Sequence, residues 1–176
     1  MRSWIASLVA VLFAGFATPS ILASTLPEKN FETGFTFSYV DVNDFGKTTN
    51  LDGQWQWLFG KGSQELGAKL SYLSVNPDTG SSNDATIFGP VYTWNWMPEK
   101  EKFTGFLEAF YGFVSGDLGD VADNEVQGSV GAKVFVGNSA AVRFDYFVDK
   151  VMGANGAEDV DSSGIRIGIS IFGGEK

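Results

Sequence analysis

The sequence predicts an all-β fold, namely an eight-stranded antiparallel up-and-down transmembrane β-barrel. Three observations support this prediction. A period of two recurs in eight successive segments, one face of each segment is wholly apolar, and the connections alternate between long and short. The length of 176 residues suits one domain with a sizeable core.

The N-terminal segment has the pattern of a secretory signal peptide. Arg2 gives a positive start, residues 4–17 are uncharged and apolar, and Pro19 interrupts the segment before the small residue Ala23. The apolar stretch is shorter than the roughly 20 residues that a membrane-spanning helix needs. We therefore expect cleavage after Ala23, with residues 1–23 removed and residues 24–176 forming one barrel domain.

The remaining chain shows a strand period and no sustained helical period. Turn residues bound segments that are long enough to cross a bilayer as tilted strands. Gly89-Pro90 interrupts the fourth segment, and because proline cannot donate to a strand ladder we expect a bulge or register change there. The predicted strands are 31–41, 49–59, 64–74, 86–96, 102–114, 124–136, 139–150 and 163–172.

The two faces of these strands differ sharply in chemistry. In the second strand, Leu51, Trp55 and Trp57 share one face and Asp52 lies on the other. The same division holds in all eight segments, and one face carries every strand charge. Those charges are Glu32, Asp52, Glu65, Glu108, Glu125, Asp145, Asp149, Lys69, Lys133, Arg143 and Arg166.

Volume decides which face should point inward. An eight-stranded barrel is just wide enough to be filled by side chains. The apolar face is rich in Phe, Tyr, Trp and Ile and would overfill that space at normal packing density. The charged face also carries many Gly, Ser and Gln residues and fits better, which predicts a membrane barrel with the apolar face toward lipid.

The tryptophans indicate one rim of the barrel. They form two pairs, each at the end of an even-numbered strand and just before a short turn, so both pairs fall on the same rim. Aromatic side chains favour the membrane interface. We name this predicted set the aromatic girdle: Trp55, Trp57, Trp94, Trp96 and Phe103.

Connection lengths give the third observation. Long connections are predicted at 42–48, 75–85, 115–123 and 151–162, and short ones at 60–63, 97–101 and 137–138. This alternation is typical of outer-membrane barrels, which have long external loops and short periplasmic turns.

The chain resembles small outer-membrane barrel proteins of the OmpA/OmpX type. The resemblance is one of pattern over residues 24–176: a signal peptide, eight amphipathic strands, four long loops and the final strand Gly164–Phe172. It implies insertion into the outer membrane of a Gram-negative-type cell by the assembly machinery, which reads an aromatic residue at the end of the last strand. Phe172 resembles that residue, although it falls on the inward face and four residues follow it.

Inward charges are costly unless they are paired. Inward phenylalanines should narrow the lumen further. We expect ion pairs inside it among Glu108, Glu125, Asp145, Asp149, Lys69, Lys133, Arg143 and Arg166. Such a lumen would be largely plugged, with a structural or surface-interaction role for the barrel. The alternative is a narrow porin-like channel, which the excess of inward acids would make cation-preferring.

Composition excludes several function classes. The chain has no cysteine and no histidine, so Cys or His zinc sites, disulfides and histidine-based catalysis are excluded. We expect no enzyme, no cofactor and no metal site. The net charge of −9 argues against a nucleic-acid partner.

The expected partners are outer-membrane lipid and lipopolysaccharide, the assembly machinery, and a host or cell-surface ligand that contacts the loops, with the barrel itself a monomer. Acidic loops could also attract divalent cations. A second alternative is a soluble secreted barrel that binds ligands, because Gly53-Gln54-Trp55 resembles the Gly-x-Trp of lipocalins.

Overall fold

The computed structural model describes residues 26, 29–42, 46–76, 83–96, 98, 102–120 and 122–175. The predicted signal peptide, residues 1–23, lies outside the described residues. Within these ranges no helix is long and apolar enough to span a bilayer.

Eight long strands make up almost all of the described chain, as the sequence predicted. Two short 3-10 turns, Gly60–Gly62 and Asp117–Asp120, lie between strands. The strands are β1 (Lys29–Val42), β2 (Gly46–Phe59), β3 (Gln64–Asn76), β4 (Asn83–Trp96), β5 (Phe103–Gly116), β6 (Ala122–Gly137), β7 (Ala140–Gly153) and β8 (Val160–Glu175).

The strands form a closed antiparallel barrel in sequence order, so the predicted fold class is confirmed. Each strand pairs with its neighbours in the chain, and β1 pairs with β8 to close the sheet. This closing seam runs from Lys29↔Glu175 to Phe37↔Ile167. Beyond that point, Ser38–Val42 of β1 and Val160–Arg166 of β8 are described but do not pair with each other across the seam.

Alternation along the strands places the apolar face outside and the charged face inside. Along β4 the burial alternates strictly from Ala85 to Asn95, so Ile87 is buried and Phe88 is exposed. Among the described residues, twenty-five large hydrophobic side chains are exposed, which a water-soluble barrel would bury. A soluble lipocalin-like barrel would have these faces reversed.

The predicted alternation of long and short connections is wrong. The strands continue into residues that were expected to form loops, so the first connection is only 43–45 and the third is 77–82. Asp41 pairs with Lys47 and Val75 with Asn83, although these residues carry no apolar alternation. The polar ends of strands can continue the backbone pairing in water, where no apolar side chains are needed. The hydrophobic pattern therefore does not mark where these strands end.

The predicted register change at Gly89-Pro90 is also wrong. The β3–β4 register runs through Ala68↔Pro90 without a shift, and the β4–β5 register is the same before and after the proline. Instead, the β4–β5 pairing is interrupted at Gly89 and Pro90, where the backbone of β5 lies close to Gly89. Register shifts occur at the two ends of β6, next to Ala122 and Phe135.

The last strand is longer than predicted, because β8 continues past Phe172 to Glu175. Phe172 pairs with Glu32 and points into the barrel, where it is buried. Its inward parity therefore holds without a slip in register.

Candidate functional site

The barrel interior is a charged lumen that is shielded from solvent. Six acidic and four basic side chains of the described residues are buried in it, at 0–5% exposure. They are Glu32, Asp52, Glu65, Glu108, Glu125, Asp145, Lys69, Lys133, Arg143 and Arg166. Charges removed from water must be paired and hydrogen-bonded, which makes their partners the main question about this site.

Two arginines organise the middle of the lumen. Arg166 Nη2 lies 2.7 Å from Asp145 Oδ1, and its Nη1 lies 2.9 Å from Asp52 Oδ2. Arg143 Nη2 lies 2.8 Å from Glu108 Oε2, and its Nε lies 3.1 Å from Asp145 Oδ2. Asp145 therefore bridges the two guanidinium groups, and the cluster ties together strands from both halves of the barrel.

A second cluster surrounds Lys133, nearer the end of the barrel that carries the 60–63 and 97–102 connections. The Lys133 ammonium is ion-paired with Glu32, and its Nζ lies 2.6 Å from Glu65 Oε1. Asn95 Nδ2 donates to the same Glu65 oxygen at 2.5 Å, and Ser170 Oγ donates to Glu32 Oε1 at 2.6 Å. One ammonium thus holds two carboxylates from β1 and β3, and Asn95 and Ser170 each add one hydrogen bond to them.

Gln127 connects the charged groups nearer the loop side. Its Oε1 accepts hydrogen bonds from Lys69 Nζ at 2.5 Å and Arg166 Nη1 at 2.6 Å. Its Nε2 donates to Glu125 Oε1 at 3.1 Å. A neutral amide therefore separates two cations and links them to an acid, which relieves like-charge repulsion in a narrow space.

Aromatic rings cover each of the four cations in these clusters. Phe106 lies under both Arg143 and Lys133, with its centroid 4.2 Å from the Arg143 Cζ atom. Phe110 faces Lys69 at 4.8 Å, and Phe147 faces Arg166 at 4.9 Å. Cation–π contacts of this kind favour charge where water is excluded.

Apolar side chains pack together inside the barrel at the end that carries the 60–63 connection. Leu26, just before β1, is fully buried against Leu58, Ala141 and Phe172, and Phe135 packs beside them. A Cβ atom at Gly62 would lie 2.7 Å from Leu26, so the turn after β2 also fits closely around it. A second apolar cluster, made by Ile87, Val91 and Phe110, lines the β4–β5 wall.

Six of the eight residues expected in the lumen network form ion pairs there, and two do not. Within the described chain, Glu125 is buried but has no base within 4 Å, and Gln127 donates a hydrogen bond to it. Asp149 lies nearer the β7–β8 connection, where Ser162 donates a hydrogen bond to it. Neither acid therefore forms its expected ion pair among the described residues, and each accepts a hydrogen bond from an uncharged side chain.

Sequence reasoning placed Glu32, Asp52 and Glu65 on the inward face but omitted them from the predicted network. The structure makes them partners of Lys133, Lys69 and Arg166. Their inward parity was the available signal. Leu26 was missed completely, since it precedes the first strand and carries no period.

The aromatic girdle lies where the sequence put it, at the strand ends next to the 60–63 and 97–102 connections. Trp55, Trp57, Trp94 and Phe103 are exposed on the outer face. Trp96 is half-buried because its ring covers Gly105, where a Cβ atom would lie 2.1 Å from Trp96 Cε2. The two tryptophan pairs have centroids 3.9 Å and 5.9 Å apart.

In the part of the chain that the structure describes, no group of three or more acidic side chains is arranged to hold a metal ion. The buried acids instead face lysine and arginine. The arrangement can hold a fixed, nearly balanced set of charges inside a narrow barrel.

Comparison with known proteins places this fold among transmembrane barrels. No protein-family model and no curated protein sequence matches the chain. Solved structures do match. A de novo designed transmembrane β-barrel aligns with 83% of this chain and 97% of its own at a TM-score of 0.52 and 13% identity. The N-terminal β-barrel domain of Pseudomonas aeruginosa OprF aligns with 83% of this chain and 98% of its own at a TM-score of 0.51 and 8% identity.

The fold is therefore that of a small closed eight-stranded barrel, similar to that of the designed transmembrane barrel and of the OprF N-terminal domain. At these identities the likeness concerns the fold alone. The role of this chain has to be argued from its own residues.

Proposed function

We propose that this protein is an outer-membrane β-barrel whose lumen is closed and whose role is structural or mediated by its external loops. The observation that carries the proposal is the inversion of faces in a closed barrel. Among the described residues, large apolar side chains are exposed around the outside, and ten charged side chains are buried within. Only a lipid environment makes that arrangement favourable.

Export to the outer membrane is part of the same proposal. Residues 1–23 supply the signal peptide, and the aromatic girdle lies at the rim that would face the periplasm. Strand closure satisfies backbone groups where lipid cannot. The strand ends opposite the girdle carry polar side chains, such as those of Lys47 and Lys150. Such side chains suit the external side of the membrane.

The closed lumen rests on three contacts in series. The Leu26 cluster fills the short-turn end, the Lys133 cluster follows, and the paired arginines cross the middle. Phe106 and Phe147 pack against these charges. An ion crossing the barrel would have to displace each layer, so we propose no steady conduction.

One observation favours the alternative of a narrow cation-preferring channel. Glu125 and Asp149 lie nearer the loop side and have no base within 4 Å among the described residues. They would give a conducting state an acidic entrance, and acidic rings select cations.

Conductance in a planar bilayer tests the two functions. Refolded protein should insert stably and carry no discrete current under the closed-lumen proposal. The double variant Leu26→Ser, Phe172→Ser removes the apolar cluster at the barrel end. It should carry no discrete current, like the wild-type protein, because the arginine layer remains. Discrete openings of the unmodified protein that prefer cations would overturn the closed lumen and favour the channel.

A further inference from the structure

The Lys133 cluster contains one more carboxyl group than its ammonium can balance. Glu32 and Glu65 both pair with Lys133, and all three side chains are 0% exposed. A further cation, Arg143, also acts on Glu32, but its guanidinium is already paired with two other carboxylates. A surplus negative charge in a site without water is costly, so this cluster needs another positive partner.

The hydrogen bonds to the two carboxyl groups show where that partner is missing. Glu32 Oε2 faces the Lys133 ammonium, and Glu32 Oε1 accepts a hydrogen bond from Ser170 at 2.6 Å. Glu65 Oε1 accepts from Lys133 at 2.6 Å and from Asn95 at 2.5 Å. Glu65 Oε2 is buried and receives no hydrogen bond from the described part of the chain. Three of the four carboxyl oxygens therefore have a donor, and Glu65 Oε2 lacks one.

The two carboxyl groups also contact each other. Glu32 and Glu65 lie within hydrogen-bond reach of one another. Two ionised carboxylates can only accept hydrogen bonds, so this contact is a hydrogen bond only when one of them carries a proton. Carboxyl groups that share one site repel each other when both are ionised, and such pairs retain one proton between them. A proton on Glu65 Oε2 would supply the missing donor and remove the surplus charge.

The other strands around this pair contribute neutral side chains. Within the described residues, Lys133 is the one base within 4 Å of either carboxyl group. The rings of Phe106 and Phe172 lie 5.4 Å and 5.7 Å from Lys133 Nζ, and Phe172 belongs to the apolar cluster around Leu26. On β2, Gln56 donates its amide to Thr93 and carries no charge. These neighbours shield the pair and leave its charge to be balanced by Lys133 and a proton.

We propose that the Lys133 cluster is a proton-binding site, in which Glu65 carries a proton on Oε2 and donates it in a hydrogen bond to the Glu32 carboxylate. Lys133 then balances a single negative charge. The proton acts as a structural ligand that the barrel binds when it folds. Its loss at alkaline pH sets two carboxylates against each other beside the apolar cluster around Leu26, which loosens this end of the barrel.

Infrared spectroscopy of the refolded protein tests the site directly, because the C=O stretch of a protonated carboxyl group absorbs apart from the bands of an ionised one. Isotopic labelling of the glutamate carboxyl carbons separates their bands from those of aspartate. At about pH 7, where a glutamate in water is ionised, we expect a protonated-glutamate band that is lost in Glu65→Gln. The same substitution at an exposed residue, Glu158→Gln, should leave that band in place. A spectrum in which Glu65→Gln removes no such band would overturn the proposal.

The pH dependence of stability gives a second test. Glu65→Gln keeps an oxygen for Lys133 and Asn95 and replaces the O–H donor with an amide N–H, so this variant should fold. An unfolded glutamate releases its proton at about pH 4.3, whereas the folded barrel keeps it. The folded state then binds one more proton than the unfolded state, so stability falls as pH rises. Between about pH 5 and pH 7, the folding equilibrium constant of the wild-type protein should fall about tenfold per pH unit relative to that of Glu65→Gln.

Denaturant titrations in lipid vesicles at each pH measure these constants, and Glu108→Gln is the buried control. Glu108 Oε2 lies 2.8 Å from Arg143 Nη2, so this carboxylate is balanced without a proton. Its variant, like Glu158→Gln, should differ from the wild-type protein by the same factor at every pH in that range. Parallel pH curves for the wild-type protein and Glu65→Gln would overturn the proposal, and so would a control variant that diverges from the wild-type protein as Glu65→Gln does.

Discussion

Arg166 on β8 lies 2.9 Å from Asp52 on β2, although β1 separates the two strands in the sheet. The contact therefore passes over the inner face of β1 and does not follow the backbone ladder. Thr36 on the intervening β1 donates to the same Asp52 oxygen at 2.9 Å. Ions inside this barrel thus add links between strands that the backbone ladder does not join.

Loss of the Arg166 guanidinium should destabilise the barrel strongly. Arg166→Met keeps much of the side-chain volume but leaves Asp52 and Asp145 short of a partner in a site that water does not reach. We expect a loss of about 3–5 kcal/mol in the free energy of unfolding. Denaturant titration of the refolded protein in lipid vesicles, followed by tryptophan fluorescence, measures it.

Lys150→Met is the matched control for that experiment. Lys150 also pairs with two aspartates, but its side chain is 48% exposed. Exposed pairs contribute about 0–1 kcal/mol. Equal losses in the two variants would contradict the description of Arg166 as a shielded structural charge.

Depth in the bilayer should decide the cost of an outward lysine. Val130 and Val126 lie on the same face of β6, but Val126 pairs with Lys150 near the loop side and Val130 pairs with Tyr146 nearer the middle. Val130→Lys should cost about 2–4 kcal/mol and Val126→Lys about 0–1 kcal/mol. Unfolding free energies in vesicles give both values. The same small cost at both positions would mean that this face does not contact hydrocarbon.

The sequence predicted the faces of the barrel far better than its contacts. A period of two determines which side of a strand Phe88 or Arg143 occupies, because one apolar face must be excluded from water or from the lumen. It does not determine which inward residue meets which across the lumen, since that depends on strand tilt and stagger. Asp149 was therefore expected to pair with a base, whereas Ser162 donates a hydrogen bond to it in the structure.

The ends of the strands were predicted least well, and for a related reason. Lys47 and Asn83 are polar residues that pair in the sheet beyond the apolar band, where hydropathy gives no periodic signal. At Pro90, by contrast, the sequence predicted an irregularity larger than the one that the structure has. The sequence marks a lost donor there, but only the structure shows that the β4–β5 pairing is interrupted at this point without a register change.

Gly89 should be intolerant of any side chain. A Cβ atom there would lie 1.9 Å from the backbone oxygen of Tyr111, so β5 would have to move away from β4. We expect Gly89→Ala to lower the free energy of unfolding by more than about 2 kcal/mol. Vesicle unfolding, with yield of folded barrel as a second readout, tests this expectation.

Gly137→Ala provides the comparison, because a Cβ atom at Gly137 meets nothing within 4 Å. That variant should fold with yield and stability close to those of the original chain. If Gly89→Ala behaved in the same way, the close approach of β4 and β5 would not constrain the barrel.

Acid should loosen the connection between β7 and β8. The ammonium of Lys150 and the backbone N–H of Gly153 both donate to Asp159, and they lower the pKa of this carboxyl. A carboxyl with a lowered folded-state pKa stabilises the fold above its unfolded-state pKa, and that contribution is lost as pH falls through the folded-state value. The carboxyl carbon resonance of Asp159 should therefore titrate below about 3.9, the ordinary value for aspartate. Lys150→Met should move the titration upward, whereas Lys47→Met, an exposed lysine on β2, should leave it in place; a midpoint unmoved by Lys150→Met would show that the ammonium does not hold this loop.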